Sequence, residues 1–297
     1  MYNVFSDLVS LGLASNETSD IFAEKTRDCS SLTVWRDKIS GVIFIKEFYV
    51  GDTAYNAAGN ELHSSSVVKR TSFEDAKDCA RRVKRFKSFY HSKDICELGF
   101  GSGEFMDAIV SDSKSVSGVE LNTEQLSALS GKGYSVARNL SKFQERYFDT
   151  VFLFHAFEHF PDPLDKLRQI KKSLKSGGRI VIEVPNAADF LLRDDMECAA
   201  FKAHSLWSQH LILHTRNSLN AMLNACGFND IVIEGVQRYP LSNHLHWLVK
   251  GKPGGHASNM SALDSELLSQ AYCSSLSHID AIDTIIAVAS APKTHLL

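Results

Sequence analysis

Between residues 94 and 236 short apolar runs take turns with stretches of helical period, and few architectures tolerate that order. The runs read "ICEL", "SVSGVEL", "YSVA", "FDTVFLF", "SGGRIVIEVPN" and "DIVIEGV". Helices are expected between them: from about Gly103, from Thr123 to Gly131 or Gly133, from near Pro163 to Leu174, and over "TRNSLNAMLNACGF", with Thr215 as N-cap and Gly227 just past the end. Strand and helix in alternation predict a parallel sheet with crossover helices. The first strand runs into "ELGFGSGEF", where Gly99, Gly101 and Gly103 turn the chain toward a helix. Glycines let a ligand approach the backbone, and free amides there face it. A dinucleotide fingerprint needs G-x-G-x-x-G, and its third glycine would fall on Glu104, which disfavours a nicotinamide enzyme. Glu120 stands about 20 residues after the turn, at the end of the next strand, where a carboxylate accepts the hydroxyls of a ribose.

The flanks read differently. Residues 1–70 carry short strand-like pieces, "LTVWRD" and "GVIFIKEFYV", and are expected to form a small β-rich module of low helical content. A helix follows, with Phe73, Ala76, Ala80, Val83, Phe86 and Tyr90 as its apolar stripe. Beyond the core, "HLHWLVKG" reads as an alternating strand, with His244, His246 and Leu248 on one face. On the alternative reading His244, His246 and His256 border an acceptor pocket, and Lys250 and Lys252 meet a phosphate. A helix over about 263–280 and a last strand, "DTIIAVA", close the chain. The domains expected are therefore 1–70, 71–257 and 258–297. Cys29, Cys79, Cys96, Cys198, Cys226 and Cys273 form no C-x-x-C pair, which predicts reduced thiols and neither a disulfide framework nor a cysteine zinc site. No apolar run approaches the roughly 20 residues of a membrane helix. With no signal-like N-terminus, the expected location is cytoplasmic.

Two histidine groups carry candidate chemistry. His155-Ala156-Phe157-Glu158-His159 matches H-x-x-E-H, but a zinc site needs both histidines on one continuous helix. His155 follows a strand, and Pro161 and Pro163 interrupt what comes next, so His155 is placed instead at the carboxyl edge of the fourth strand. His210 and His214 lie four residues apart, a spacing that one helix face would bring together as a capping pair.

"ICELGFGSGEF", "SGVELN", the block "FDTVFLFHAFEHFPDPLDKLRQIKKSLKSGGRIVIEVPN" and "SLNAMLNACGF" together resemble a class I S-adenosylmethionine-dependent methyltransferase over roughly residues 94–236. The resemblance implies a Rossmann-like, seven-stranded, mostly parallel sheet with an antiparallel final strand. It implies that Glu97, Gly99, Phe100, Gly101 and Gly103 hold the methionine part of the cofactor. It further implies that Glu120 and Leu121 meet the ribose, that Asn139 or Leu140 lines the adenine pocket, and that His155 sits near the methyl group. "SLWSQHLILHTRNSLNAMLNACGF" is similar to a region of sugar C-methyltransferases, in which a Tyr-His-Glu-His run supplies the base; here Trp207, Ser208 and Gln209 depart from it and His210 keeps the last position. Of the zinc module at the start of those enzymes only Cys29 remains, so no metal is expected.

A proton acceptor for methyl transfer is then His210 first and His155 second, since histidine titrates near neutral pH. The acceptor implied is a small molecule, a sugar or an anionic nucleotide-sugar of surface polysaccharide or secondary-metabolite synthesis. Lys69, Arg70, Lys77, Arg81, Arg82, Lys84, Arg85, Lys87 and Lys93 stand against only Glu74, Asp75 and Asp78, a surplus that reads first as a solvated helix face and otherwise as an attraction for such an anion. An RNA methyltransferase and a cofactor-binding partner subunit without catalysis are the alternatives. No aromatic-interleaved basic platform accompanies the surplus, and a net charge of −3 gives no general pull toward nucleic acid.

Overall fold

The computed structural model of the chain describes residues 4–52, 72–196 and 198–293. Its centre is a seven-stranded sheet in the order β10-β11-β8-β7-β4-β5-β6. The strands are β4 (Asp94–Leu98), β5 (Ser115–Val119), β6 (Ser135–Ala137), β7 (Phe148–Phe154), β8 (Leu174–Pro185), β10 (Asn229–Val236) and β11 (Thr284–Ser290). β4 pairs in parallel with β5 and β7, β5 with β6, and β7 with β8, which is the Rossmann-like arrangement the alternating sequence predicts. The order reverses between β4 and β7, so the carboxyl ends of these two strands flank the crevice in which such sheets bind ligands. At the opposite end of these strands Asp94 takes ion pairs from Lys114 and Lys175, both at 2.8 Å. Burial works against its charge, but the two ammonium groups outweigh that and hold its carboxyl below the ordinary range.

A second, four-stranded sheet runs β1-β2-β3-β9, with β1 (Ser19–Ala23), β2 (Val34–Asp37), β3 (Ile43–Ile45) and β9 (Ile212–Leu213), all antiparallel to their neighbours. The β-rich module is thus present in its described part, but its fourth strand arrives from far along the chain and a helix, α1 (Val4–Ser10), precedes it. The described residues group into two compact units. One takes Met1–Tyr49, Val184–Leu219 and Ile233–Ile286, and the other Val50–Glu183, Asn220–Val232 and Ala287–Leu297. Both are interleaved in sequence, so the boundaries expected at 70 and 257 do not coincide with them.

Two elements depart from the sequence reading. α2 (Ser72–Arg85) forms, but Ala76 and Ala80 of the expected stripe are exposed, while Asp78 is buried. Phe73, Lys69 and Arg70 lie outside the described residues and side chains. The helix turns Arg81 and Arg82 inward because a buried carboxylate, Glu183, waits there. Phe86 and Tyr90 do reach the core, where the Phe86, Phe105, Phe152 and Phe154 rings pack at centroid distances between 4.9 and 5.9 Å. The stretch "HLHWLVKG" is helical instead of extended, as part of an α-helix at Leu241–Lys250. Its buried residues are Ser242, Asn243, His244 and Trp247, of which the last three follow the helical period, and Gly251 ends it in the left-handed region at φ 64° with its amide on the Trp247 carbonyl. Alternating His and Leu imitates a strand, but a side chain at each of i, i+1 and i+4 is what the core receives.

Candidate functional site

The glycine turn follows β4 directly. Gly99, Gly101 and Gly103 all have positive φ, at 73°, 55° and 79°. A Cβ on Gly99 would stand 2.7 Å from the Ala156 Cβ, and one on Gly103 2.6 Å from Leu129 Cδ2, so both are glycine because neighbours press on them. Gly101 differs: a Cβ there would meet nothing within 4 Å. Its backbone borders open space, a cradle that any side chain would fill. The helix that follows, α3 (Glu104–Ile109), has only six residues, so the exposed amides of the loop matter more than a helix dipole.

The side chains around this turn are arranged by charge. The Glu120 carboxylate, at the end of β5, accepts from the Gly101 amide at 3.1 Å and from the amides of Leu121 and Asn122 at 2.7 and 3.0 Å. β4 and β5 thus place Glu120 against the glycine turn, as their parallel register demands. Glu97, at the end of β4, is buried, and among the described residues its Oε2 has no hydrogen-bond partner. Burial pushes its pKa up to about 8; Arg82 pulls the other way, and Glu120 adds to the rise. A buried carboxyl without a partner is costly unless something arrives to pair with it. Phe100 turns away: its ring fills the space over Gly118, where a Cβ would stand 2.4 Å from it, so only its backbone faces the turn. Leu140 is buried, and Asn139 is exposed and accepts from the Ser141 hydroxyl just before the 3₁₀ turn Leu140–Lys142.

His155 lies just past the end of β7, at φ 52°, in the left-handed region that few side chains adopt. Its amide donates to the Glu183 carbonyl at 2.8 Å, Nδ1 lies 3.5 Å from Glu158 and Nε2 3.4 Å from Glu183 Oε1. Burial opposes a charged ring, but contact with the two carboxylates outweighs it and raises the pKa. Glu158 and His159 sit in a 3₁₀ turn, so the H-x-x-E-H histidines do not share a helix. Glu183, fully buried, gathers Arg81 at 2.8 Å and Arg82 at 2.6 Å besides His155. That Arg81–Arg82–Glu183–His155 network escaped the sequence reading, in which the arginines looked like a solvated face; the one available signal was an acidic residue inside the apolar run "RIVIEVP".

His210 belongs to the other compact unit. It lies in the turn before β9, its Nδ1 3.3 Å from the Ser205 carbonyl and its ring edge-on to Trp207 at 5.4 Å. The contact with a carbonyl requires a proton on Nδ1, which leaves the lone pair of the neutral ring on Nε2. His214 is separated from it by the extended residues of β9, not by a helical turn, and is fully buried with Nδ1 3.1 Å from the Ser218 hydroxyl. His244 is also buried, its Nδ1 2.6 Å from the Tyr272 hydroxyl, and burial pushes its pKa down to about 4.

Comparison with known proteins gives one family: the model of a methyltransferase domain matches residues 72–233, more than half of the 297. No curated protein matches the chain. Among solved structures it is similar to a SAM-dependent methyltransferase from Archaeoglobus fulgidus, with 19% identity over 73% of this chain and 97% of that one and a TM-score of 0.50. A putative methyltransferase from Bacillus halodurans matches 73% of this chain and 99% of its own at 16% identity and a TM-score of 0.47. A phosphoethanolamine N-methyltransferase from Haemonchus contortus matches 73% and 52% at 17% identity and a TM-score of 0.48. At 19% identity the likeness to the Archaeoglobus fulgidus structure speaks for the fold alone. Among the described residues no helix is long and apolar enough to cross a membrane.

Proposed function

Because this chain belongs to the methyltransferase-domain family, we propose that its S-adenosylmethionine-dependent methyl transfer is directed at a small-molecule acceptor, a sugar or nucleotide-sugar. The observation that carries the cofactor assignment is the pairing of an open glycine with a stranded carboxyl: Gly101 borders free space, and the buried Oε2 of Glu97 lacks a partner among the described residues. A cationic amine on the methionine part suits that carboxyl, and ribose hydroxyls suit Glu120, whose oxygens already accept three amides around the turn. Asn139 and Leu140 are the residues proposed for the adenine side. When bound, S-adenosylmethionine supplies a methyl group already activated by its sulfonium, so the residues of the chain chiefly position the acceptor in line with it. His210 is the group proposed to take the acceptor proton. His155, held between two carboxylates, shapes the end of β7 beside the turn. The likeness of the His210 run to sugar C-methyltransferases is what supports the acceptor class.

Calorimetry with S-adenosylhomocysteine tests the cofactor, and a mass gain of one methylene across an acceptor panel tests the reaction. Two outcomes are expected. A raised Glu97 pKa means a neutral carboxyl below pH 8 in the free protein, and a bound amine favours its ionised form. Affinity for S-adenosylhomocysteine then climbs about tenfold per pH unit as pH rises from 6 toward 8, with proton release on binding, and flattens above. Glu97→Gln removes the slope; an identical slope in that variant would assign it to another group. His210→Ala is expected to cut kcat by about 100-fold or more while leaving S-adenosylhomocysteine affinity within twofold; unchanged turnover would exclude His210 as base.

A further inference from the structure

A cavity of about 710 Å³ lies wholly within the unit that carries the four-stranded sheet. It is far larger than an ion and within the range of roughly 300–1,000 Å³ typical of small-molecule sites. β1 and β2 supply one wall, and α4 (Ala199–Ser205) and the start of α5 (Arg216–Ala225) supply others. Phe22, nearly buried, forms the floor. Two cations sit over its ring: Lys202 Nζ at 3.6 Å from the centroid and the Arg36 guanidinium carbon at 5.2 Å.

The lining carries four aspartates and four cations, so its formal charges balance, but they are not paired one to one. Asp37 is spent on the sheet, buried and accepting from the Thr18 hydroxyl and the Ile39 and Ser40 amides. Each remaining carboxylate has its own cation: Asp194 holds Arg36 at 3.3 Å, Asp20 holds Lys38 at 3.2 Å and Asp280 holds Arg216 at 2.7 Å. Lys202 is left over, and among the described residues no carboxylate comes within ion-pair distance of its ammonium. Burial, and beside it the Arg36 charge, push Lys202 down against the pull of Asp194. Thr215, just before α5, and its first residues Arg216 and Asn217 line the same cavity, and the positive end of a ten-residue helix adds to its preference for an anion.

We infer that this cavity is a binding site for a hydroxylated small molecule bearing a phosphate, whose anionic group sits between Lys202 and Arg36. Two cations held close over one ring repel each other, and a dianion between them relieves that repulsion. Asp194 and Asp20, at the cavity wall, accept from hydroxyls. The inference rests on the cavity alone and not on methyl transfer.

Calorimetry of the full chain with glycerol 3-phosphate, inorganic phosphate and glycerol tests it. The phosphorylated polyol is expected to bind at least tenfold more tightly than glycerol and more tightly than phosphate. Lys202→Met should weaken it at least tenfold, whereas Lys202→Arg, which keeps the charge, should stay within threefold of wild type. Equal binding of glycerol and its phosphate, no binding of either, or a Lys202→Met variant that binds like wild type would each overturn the site. S-adenosylhomocysteine titrated into the same samples separates this from the methyl-donor reading: polyol phosphate binding without cofactor affinity upholds the cavity and sinks the donor.

Discussion

Replacing Glu183 by Ala is expected to cost the fold about 3–5 kcal/mol, the largest loss of stability from a single polar substitution in the core. Glu183 has no exposed surface, and its carboxylate is the common partner of Arg81, Arg82 and the His155 ring. Burial alone would favour its neutral form, but contacts with His155, Arg82 and Arg81 hold its pKa well below the ordinary value. Without it, two guanidinium groups and an imidazolium face one another with Asp78 and Glu158 as the carboxylates in contact with them. Glu183→Gln keeps the shape and removes the charge, and is expected to lose most of the same stability. The pH dependence follows in sign. A depressed carboxylate contributes stability above its unfolded value near 4.5 that disappears as pH falls, and a raised histidine contributes stability below about 6.5 that disappears as pH climbs through its folded value. The variants should therefore differ from wild type most between those limits. Urea midpoints checked at pH 4, 6 and 9 decide it; a Glu183→Ala midpoint within about 1 kcal/mol of wild type at pH 6 would show the network to be ornamental.

Gly101→Val is expected to weaken S-adenosylhomocysteine binding by about 100-fold or more, close to 3 kcal/mol, while the protein stays folded. Nothing lies within 4 Å of the position its Cβ would take, so the main cost to the fold is the left-handed backbone at φ 55°, about 1–2 kcal/mol. The side chain would instead occupy the space beside the turn. Gly99→Val makes the useful contrast. There the new Cβ runs into the Ala156 Cβ at 2.7 Å, so it should lose stability and affinity together. Retention of wild-type affinity in a folded Gly101→Val protein would place the cofactor elsewhere.

Much of the core was legible before any coordinates. β4 to β8, the helices between them and the juxtaposition of Glu120 with the glycine turn follow from local signals: period, turn residues and strand ends. The failures share one cause. α2 was oriented by its alanine stripe, yet Ala76 and Ala80 face solvent, because the burial of Glu183 required Arg81 and Arg82 on the inner face. The strand-end position of His155 follows from the sequence, but its two carboxylate neighbours, Glu158 and Glu183, come together only in the fold. "HLHWLVKG" has two periods in its letters, and packing chose the helical one.

Local signals along the chain specify the parallel sheet, the glycine turn and the acidic residue at each of two neighbouring strand ends, since backbone sterics and hydrophobic period act over a few residues. Tertiary structure alone decided which charges are buried together, because a charge leaves water only where a partner from a distant segment meets it. It also decided that β9 completes the N-terminal sheet and that Lys202 and Arg36 share the Phe22 ring, pairings between residues more than 150 positions apart that no local pattern encodes.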